Sequence, residues 1–138
     1  MATIFTRIID GEIPGTFVWR DERCVAFLSI APLREGHVLV VPRAEIDHWL
    51  ACPSDLRHHL MDVSAVIGEA IQTVWNPEKV GLMIAGLEVP HLHIHLVPIW
   101  DVHDLDFARA RPAEREDLQA AAVRVRQALA VHGHTPAD

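Results

Sequence analysis

The chain has 138 residues, a formal charge of −7 at pH 7 and 50% hydrophobic residues, ample for one compact core. The acidic balance excludes a generic electrostatic nucleic-acid binder, which carries a basic patch, while leaving room for a small anion held by local dipoles. Cys24 and Cys52 form no CxxC motif, so free thiols in a reducing compartment are expected rather than a disulfide framework.

"TIFTRIID" reads as a short helix, with Thr3 able to cap it and Gly11 available as its stop. "TFVWR" and "CVAFL" read as strands around a "DER" turn. The segment "SIAPLREG" is a loop broken by Pro32 and Gly36, and "HVLVVP" is a β-branched strand ending at Pro42. From Ser54 to Trp75, Leu56, Leu60, Val63, Ile67, Ile71 and Val74 recur at three- and four-residue steps, predicting an amphipathic helix with that stripe in the core. "VGLMIA" and "HLHIHLVP" are strands joined by a short loop containing Gly86. Pro112 suits the first turn of a C-terminal helix whose apolar side is Leu118, Ala122, Val125 and Leu129. "HGHTPAD" is expected to fray. The order α-β-β-β-α-β-β-α with short turns predicts an α+β fold around an antiparallel sheet. The N-terminal stretch is too polar for a signal peptide, and no window approaches the roughly 18 apolar residues of a membrane span. A soluble, cytoplasmic protein with no membrane partner is therefore expected.

Residues 88–98, "EVPHLHIHLVP", place histidines at alternate positions. On a strand His91, His93 and His95 share one face, about 6–7 Å apart, while Leu92, Ile94 and Leu96 share the other. A row of exposed imidazoles has no packing reason, whereas a cleft gives it one. Rings so spaced can flank a tetrahedral group such as a phosphate, with a neutral imidazole as nucleophile and a neighbour supplying charge or a proton. The same array can also chelate a transition metal. Spacing leaves both open.

His91-Leu-His-Ile-His95-Leu-Val matches the His-φ-His-φ-His-φ-φ signature (φ apolar) of the histidine triad, or HIT, family. "TIFTRIIDGEIP", "DERCVAF" and "GHVLVVPR" resemble opening segments of its nucleotide-binding branch, in the same order, so the resemblance covers roughly residues 3–100. It implies the HIT fold, a five-stranded antiparallel sheet with two main helices and a short N-terminal one. It implies a HIT domain over residues 1–110, with a C-terminal helix and tail over 111–138 packed on it. It further implies a homodimer whose sheets join, a purine-nucleotide pocket for AMP or GMP, and phosphoramidase-type hydrolysis or transfer at the α-phosphate. By matching position His93 is the nucleophile, forming a nucleotidyl-imidazole that water resolves. His95 holds a phosphate oxygen and assists the leaving group, His91 orients the nucleophile's ring, and His37 completes the relay. Phe5, Ile8, Phe27 and Ile30 match the base and ribose pocket, although Phe5, Ile8 and Ile30 are also suited to a plain core role. His37 is equally consistent with a backbone hydrogen bond. His48, His58, His59, His103, His132 and His134 are expected on the surface or at caps.

The chain departs from the branch's pattern in three places. Ser29 stands where a ribose-binding Asp is usual, Ala85 where an Asn is usual, and Leu87 and Glu88 replace a polar pair beside the phosphate; Gly86 survives. A carboxylate at Glu88 repels a phosphate unless it turns to solvent, is paired or protonated, or binds a metal with His37, His93 or His95. No cofactor is required by this reading, zinc in the histidine site being the alternative. Nucleotide binding without turnover, as a sensor or scaffold, is the rival function.

Overall fold

The computed structural model describes residues 1–135. Helix α1 spans Ile4–Ile9; strands β1, β2 and β3 span Phe17–Arg20, Cys24–Leu28 and Val38–Pro42; helix α2 spans Ser54–Trp75; strands β4 and β5 span Lys79–Met83 and Ile94–Ile99; helix α3 spans Arg115–Val131. The five strands form one antiparallel sheet in the order β1-β2-β3-β5-β4. This is the expected α+β architecture.

Strand pleating sorts the core onto two sides of the sheet. Cys24, Ala26 and Leu28 of β2, Val38 and Val40 of β3, and Ile94 and Leu96 of β5 face α2 and α3. Val25 and Phe27 of β2, and Leu39 and Val41 of β3, face α1, joining Phe5 and Ile8. Both faces of β2 and β3 are therefore buried, which is why these strands read as unbroken apolar runs. On α2 the expected stripe from Leu56 to Ile71 is buried, and Val74 packs against the cluster. Full burial of Ile67 and Ile71 is worth about 2 kcal/mol each.

Caps and turns follow local chemistry. The Thr3 hydroxyl accepts from the Thr6 N–H at 3.1 Å, capping α1. The Asp21 carboxylate accepts from the backbones of Arg23 and Cys24, each at 2.8 Å, closing the β1–β2 turn. Cys24 and Cys52 are free and buried.

Four expectations need correction. The last strand begins at Ile94, so His91 and His93 lie in the irregular backbone before it. Helix α3 begins at Arg115, with Glu114 as N-cap; Pro112 precedes it, because the backbone is extended there and Ala113 N–H bonds the Ile30 carbonyl at 3.0 Å. His59 is not a free surface group: its Nε2–H donates to Asp21 Oδ2 at 2.7 Å. His132–His134 do not fray, since their N–H groups take the carbonyls of Ala128, Ala130 and Leu129. Residues 136–138 of that tail lie outside the described residues. Among the described residues no helix is long and apolar enough to cross a membrane.

Candidate active site

The α1 side of the sheet carries the chemistry. His95 stands on β5 opposite Leu39 of β3 and Met83 of β4, so pleating sends its ring to the α1 side while Ile94 and Leu96 go to the helical core. The His93 and His95 rings meet edge to face with centroids 4.8 Å apart, and Phe5 of α1 packs its ring 4.9 Å from His93.

Hydrogen-bond partners fix the tautomers. His93 Nδ1 lies 2.7 Å from the His91 carbonyl oxygen, which can only accept, so Nδ1 carries the hydrogen and Nε2 keeps its lone pair. His37 Nδ1 accepts from the Leu33 N–H at 3.0 Å, so the neutral His37 ring carries its hydrogen on Nε2. That nitrogen donates to His95 Nδ1 at 3.0 Å, which leaves the His95 hydrogen on Nε2. Neighbouring rings thus present opposite faces: a lone pair at His93 and an N–H at His95. Neither Nε2 is sealed in the interior, since among the described residues every fully buried side-chain polar atom has a partner.

Electrostatics keeps these rings neutral. Burial, then the neighbouring His95 and His93, hold His37 down at about 3. Burial and the His93 ring hold His95 at about 4. Burial also lowers His93, opposed by its bond to the His91 carbonyl and by the charge of Glu88.

The His37 loop is built on Gly36, whose φ of +93° suits glycine. A Cβ there would sit 2.7 Å from the Trp75 ring of α2, so the loop can lie against that helix only without one. His37 is therefore both a backbone-bonded residue and a member of the histidine cluster.

These rings open on a cavity of about 460 Å³, within the range of small-molecule sites. The expected residues Phe5, Ile8, Phe27, Ser29, Ile30, Gly86 and Glu88 line it, with His37, His93 and His95, and so do Ala85 and Leu87. Phe5, Ile8 and Phe27 also belong to the core cluster under the sheet, whereas Ile30 is 72% exposed. Glu88 is exposed at the rim, the first of the three alternatives for it. His91 does not line the cavity. Its ring is fully buried, with Nε2 donating to the Pro42 carbonyl at 2.8 Å and Nδ1 facing the Thr3 hydroxyl at 2.6 Å, and its carbonyl accepts from His93 Nδ1.

Sequence reasoning missed Phe107, whose ring lies 5.1 Å from His95 and walls the cavity from a short turn after β5. Asp104 holds that region: its buried carboxylate accepts from the N–H groups of Trp100 (2.8 Å) and Asp101 (3.1 Å) and from Arg34 Nε (2.8 Å). No local pattern marks Phe107.

The zinc alternative fits poorly. His37, His93, His95 and Glu88 form no convergent donor set; among the described residues the one group of three whose ligand atoms lie within 4.8 Å is Asp21, Cys24 and His59. There Asp21 Oδ2 already accepts from Trp19 and His59, and burial and the Asp21 charge raise the Cys24 thiol, favouring the protonated form that binds no metal.

Comparison with known proteins bears on this geometry. A model of the HIT domain matches residues 10–102. An uncharacterized HIT-like protein of Methanocaldococcus jannaschii is 34% identical over 108 residues, covering 71% of this chain and 79% of that one. The adenosine 5'-monophosphoramidase HNT1 of Saccharomyces cerevisiae is 28% identical over 128 residues, covering 85% and 81%. The crystal structure of a zinc-bound histidine triad family protein from Mycobacterium smegmatis superposes with a TM-score of 0.82 at 25% identity, covering 96% of each chain. The matched span contains all five strands and α2, leaving out α1, and includes His37, His91, His93 and His95; on that footing the chain belongs to the HIT family.

Proposed function

We propose that this protein is a nucleotide hydrolase or transferase that cleaves purine nucleoside 5'-phosphoramidates, or related nucleotide conjugates, at the α-phosphate. The observation that carries this reading is the opposed pair of tautomers, a free lone pair on His93 Nε2 beside an N–H on His95 Nε2, both facing one cavity. The similarity to an adenosine monophosphoramidase supports the same substrate class.

In this reading His93 Nε2 attacks phosphorus, and the phosphorus–nitrogen bond to the leaving amine breaks. His95 Nε2–H donates to a phosphoryl oxygen as charge builds there, a preorganised donor that needs no reorientation. Because His37 holds His95 Nδ1 as an acceptor, the neutral His95 ring has no second hydrogen to give, so in this reading it does not assist the leaving group as the resemblance implied; the departing nitrogen takes its proton from water at the cavity mouth, leaving hydroxide. A second water then attacks the nucleotidyl-imidazole and gives its proton to that hydroxide, breaking the phosphorus–imidazole bond, releasing the nucleoside monophosphate and restoring the His93 lone pair. Phe5, Ile8, Phe27 and Ile30 hold the base and ribose, and Ser29 offers the ribose a hydroxyl instead of a carboxylate. The protein works in the cytoplasm as a homodimer, for which the free sheet edge at β4 offers unpaired backbone groups.

The exposed carboxylate of Glu88 and the apolar Leu87 at the rim favour a second reading, a nucleotide sensor without turnover. Mass spectrometry of protein mixed with an AMP-amine conjugate and quenched in alkaline denaturant, in which phosphorus–nitrogen bonds survive, separates the two. An AMP adduct on the peptide containing His93, absent in His93→Ala while calorimetry still detects AMP, supports the enzyme. AMP binding with no adduct and no released amine supports the sensor.

A further inference from the structure

Two of the three histidines stand on backbone that no strand ladder holds. Residues 91–93 precede Ile94, the first paired residue of β5. Yet the His91 carbonyl is the acceptor that aims the His93 ring. What keeps His91 in place is a set of contacts from segments far away in sequence. Its Nε2–H reaches the Pro42 carbonyl, and the Leu92 N–H reaches the Ile46 carbonyl at 2.6 Å. The remaining ring nitrogen, Nδ1, meets the hydroxyl of Thr3 at 2.6 Å, 88 residues away.

The direction of that last bond follows from its neighbours. Since His91 Nε2 must donate to Pro42, Nδ1 of the neutral ring is an acceptor, and Thr3 must donate. The Thr3 oxygen in turn accepts from the Thr6 N–H at 3.1 Å. The Thr6 hydroxyl donates to Glu45 Oε1 at 2.6 Å, and Thr3 N–H donates to the same oxygen at 2.9 Å; the Thr6 oxygen is the only other acceptor near the Thr3 hydroxyl among the described residues, and at 3.3 Å it is the weaker claim on that hydrogen beside His91 Nδ1 at 2.6 Å. One polarised chain runs from Thr6 N–H through the Thr3 hydroxyl and the His91 ring to Pro42, with Glu45 clasping both threonines. The same helix presses Phe5 against His93.

We infer that Thr3, clasped by Glu45, is a positioning residue for the nucleophile: it holds His91 in the tautomer and orientation that keep its carbonyl on His93 Nδ1, so that His93 Nε2 stays unprotonated in the cavity. This rests on the reading of His93 as the attacking group. Thr3 touches neither substrate nor reacting atoms. Without its hydroxyl, His91 Nδ1 is a buried lone pair with no donor, and the ring and the peptide behind it lose their reason to stay.

The test compares Thr3→Val, which keeps the shape and removes the hydroxyl, with Thr3→Ser, which keeps the hydroxyl. Steady-state turnover of an AMP-amine conjugate, AMP affinity by calorimetry and the 15N NMR tautomer signature of His93 are measured on each. Thr3→Val is expected to lower kcat at least tenfold, leave the AMP Kd within twofold and shift His93 from a pure Nδ1–H form to a mixture; Thr3→Ser restores kcat and tautomer. Unchanged kcat and tautomer in Thr3→Val overturn the inference, and so does a fall in kcat matched by an equal loss of AMP affinity. A wild-type protein that binds AMP but turns nothing over sinks the enzymatic reading instead; the NMR comparison then decides the role of Thr3 alone, an unchanged tautomer overturning it.

Discussion

His37 Nε2 and His95 Nδ1 lie 3.0 Å apart, and their hydrogen bond runs in one direction, because Leu33 N–H occupies the other nitrogen of His37. The bond ties the loop after β2 to strand β5 and fixes which nitrogen of His95 presents a hydrogen to the cavity. A histidine 58 residues upstream thereby sets the chemistry of the triad's last member.

His37→Ala removes the donor to His95 Nδ1, so the His95 ring is free to exchange tautomers and to turn its N–H away from the phosphate. Steady-state kinetics with an AMP-amine conjugate should show kcat lower by about 10- to 100-fold, the size typical of losing a group that orients a functional one. A kcat within twofold of wild type would contradict the relay.

The pH dependence follows from the lowered histidines. His93 acts unprotonated and its value lies below the ordinary 6.5, so kcat/KM should be flat around neutrality and fall only on the acid side of 6.5. A bound anionic phosphate favours protonated rings, so the acid limb of kcat should lie at higher pH than that of kcat/KM. A kcat/KM midpoint above 6.5 would show that His93 is not shielded by burial.

Asp104 ties the segment carrying Phe107 to Arg34, and Arg34 and two backbone N–H groups hold its carboxyl at about 2 against an ordinary 3.8. A depressed carboxyl stabilises the fold above its ordinary value and loses that contribution as pH falls from about 3.8 towards 2. Asp104→Asn should therefore cost about 2 kcal/mol at pH 7, measured by urea unfolding. The gap between variant and wild type should close by pH 2; a gap of constant size would point to packing instead.

Both thiols should be silent in the native protein. Cys24 and Cys52 are 0% and 3% exposed, and burial raises both; for Cys24 the Asp21 carboxylate adds to it. A chromogenic disulfide reagent should titrate neither at pH 8 and both after denaturation. Rapid native labelling of either would mean that the helical side of the sheet opens locally.

The sequence by itself determined those parts whose cause is local. The apolar period of Leu56 to Ile71 specified α2, the apolar run CVAFL and the β-branched run HVLVVP specified β2 and β3, and Thr3 before an apolar turn specified the cap of α1. The alternation of histidines with Leu92, Ile94 and Leu96 put rings and core on opposite sides, and that held even where the ladder stops. Tertiary structure alone decided what depends on partners distant in the chain. The ladder to β3 begins at Ile94, opposite Val40, and beyond it the His91 ring, not backbone, takes the Pro42 carbonyl of β3; α3 starts late because Ala113 is drawn to the Ile30 carbonyl. Phe107 reaches His95 only through the Asp104–Arg34 pair, and His91 finds Thr3 only when α1 docks under the sheet. Periodicity records which side of an element is buried; it carries no record of which distant donor will meet a given ring nitrogen, and in this site those donors fix the tautomers.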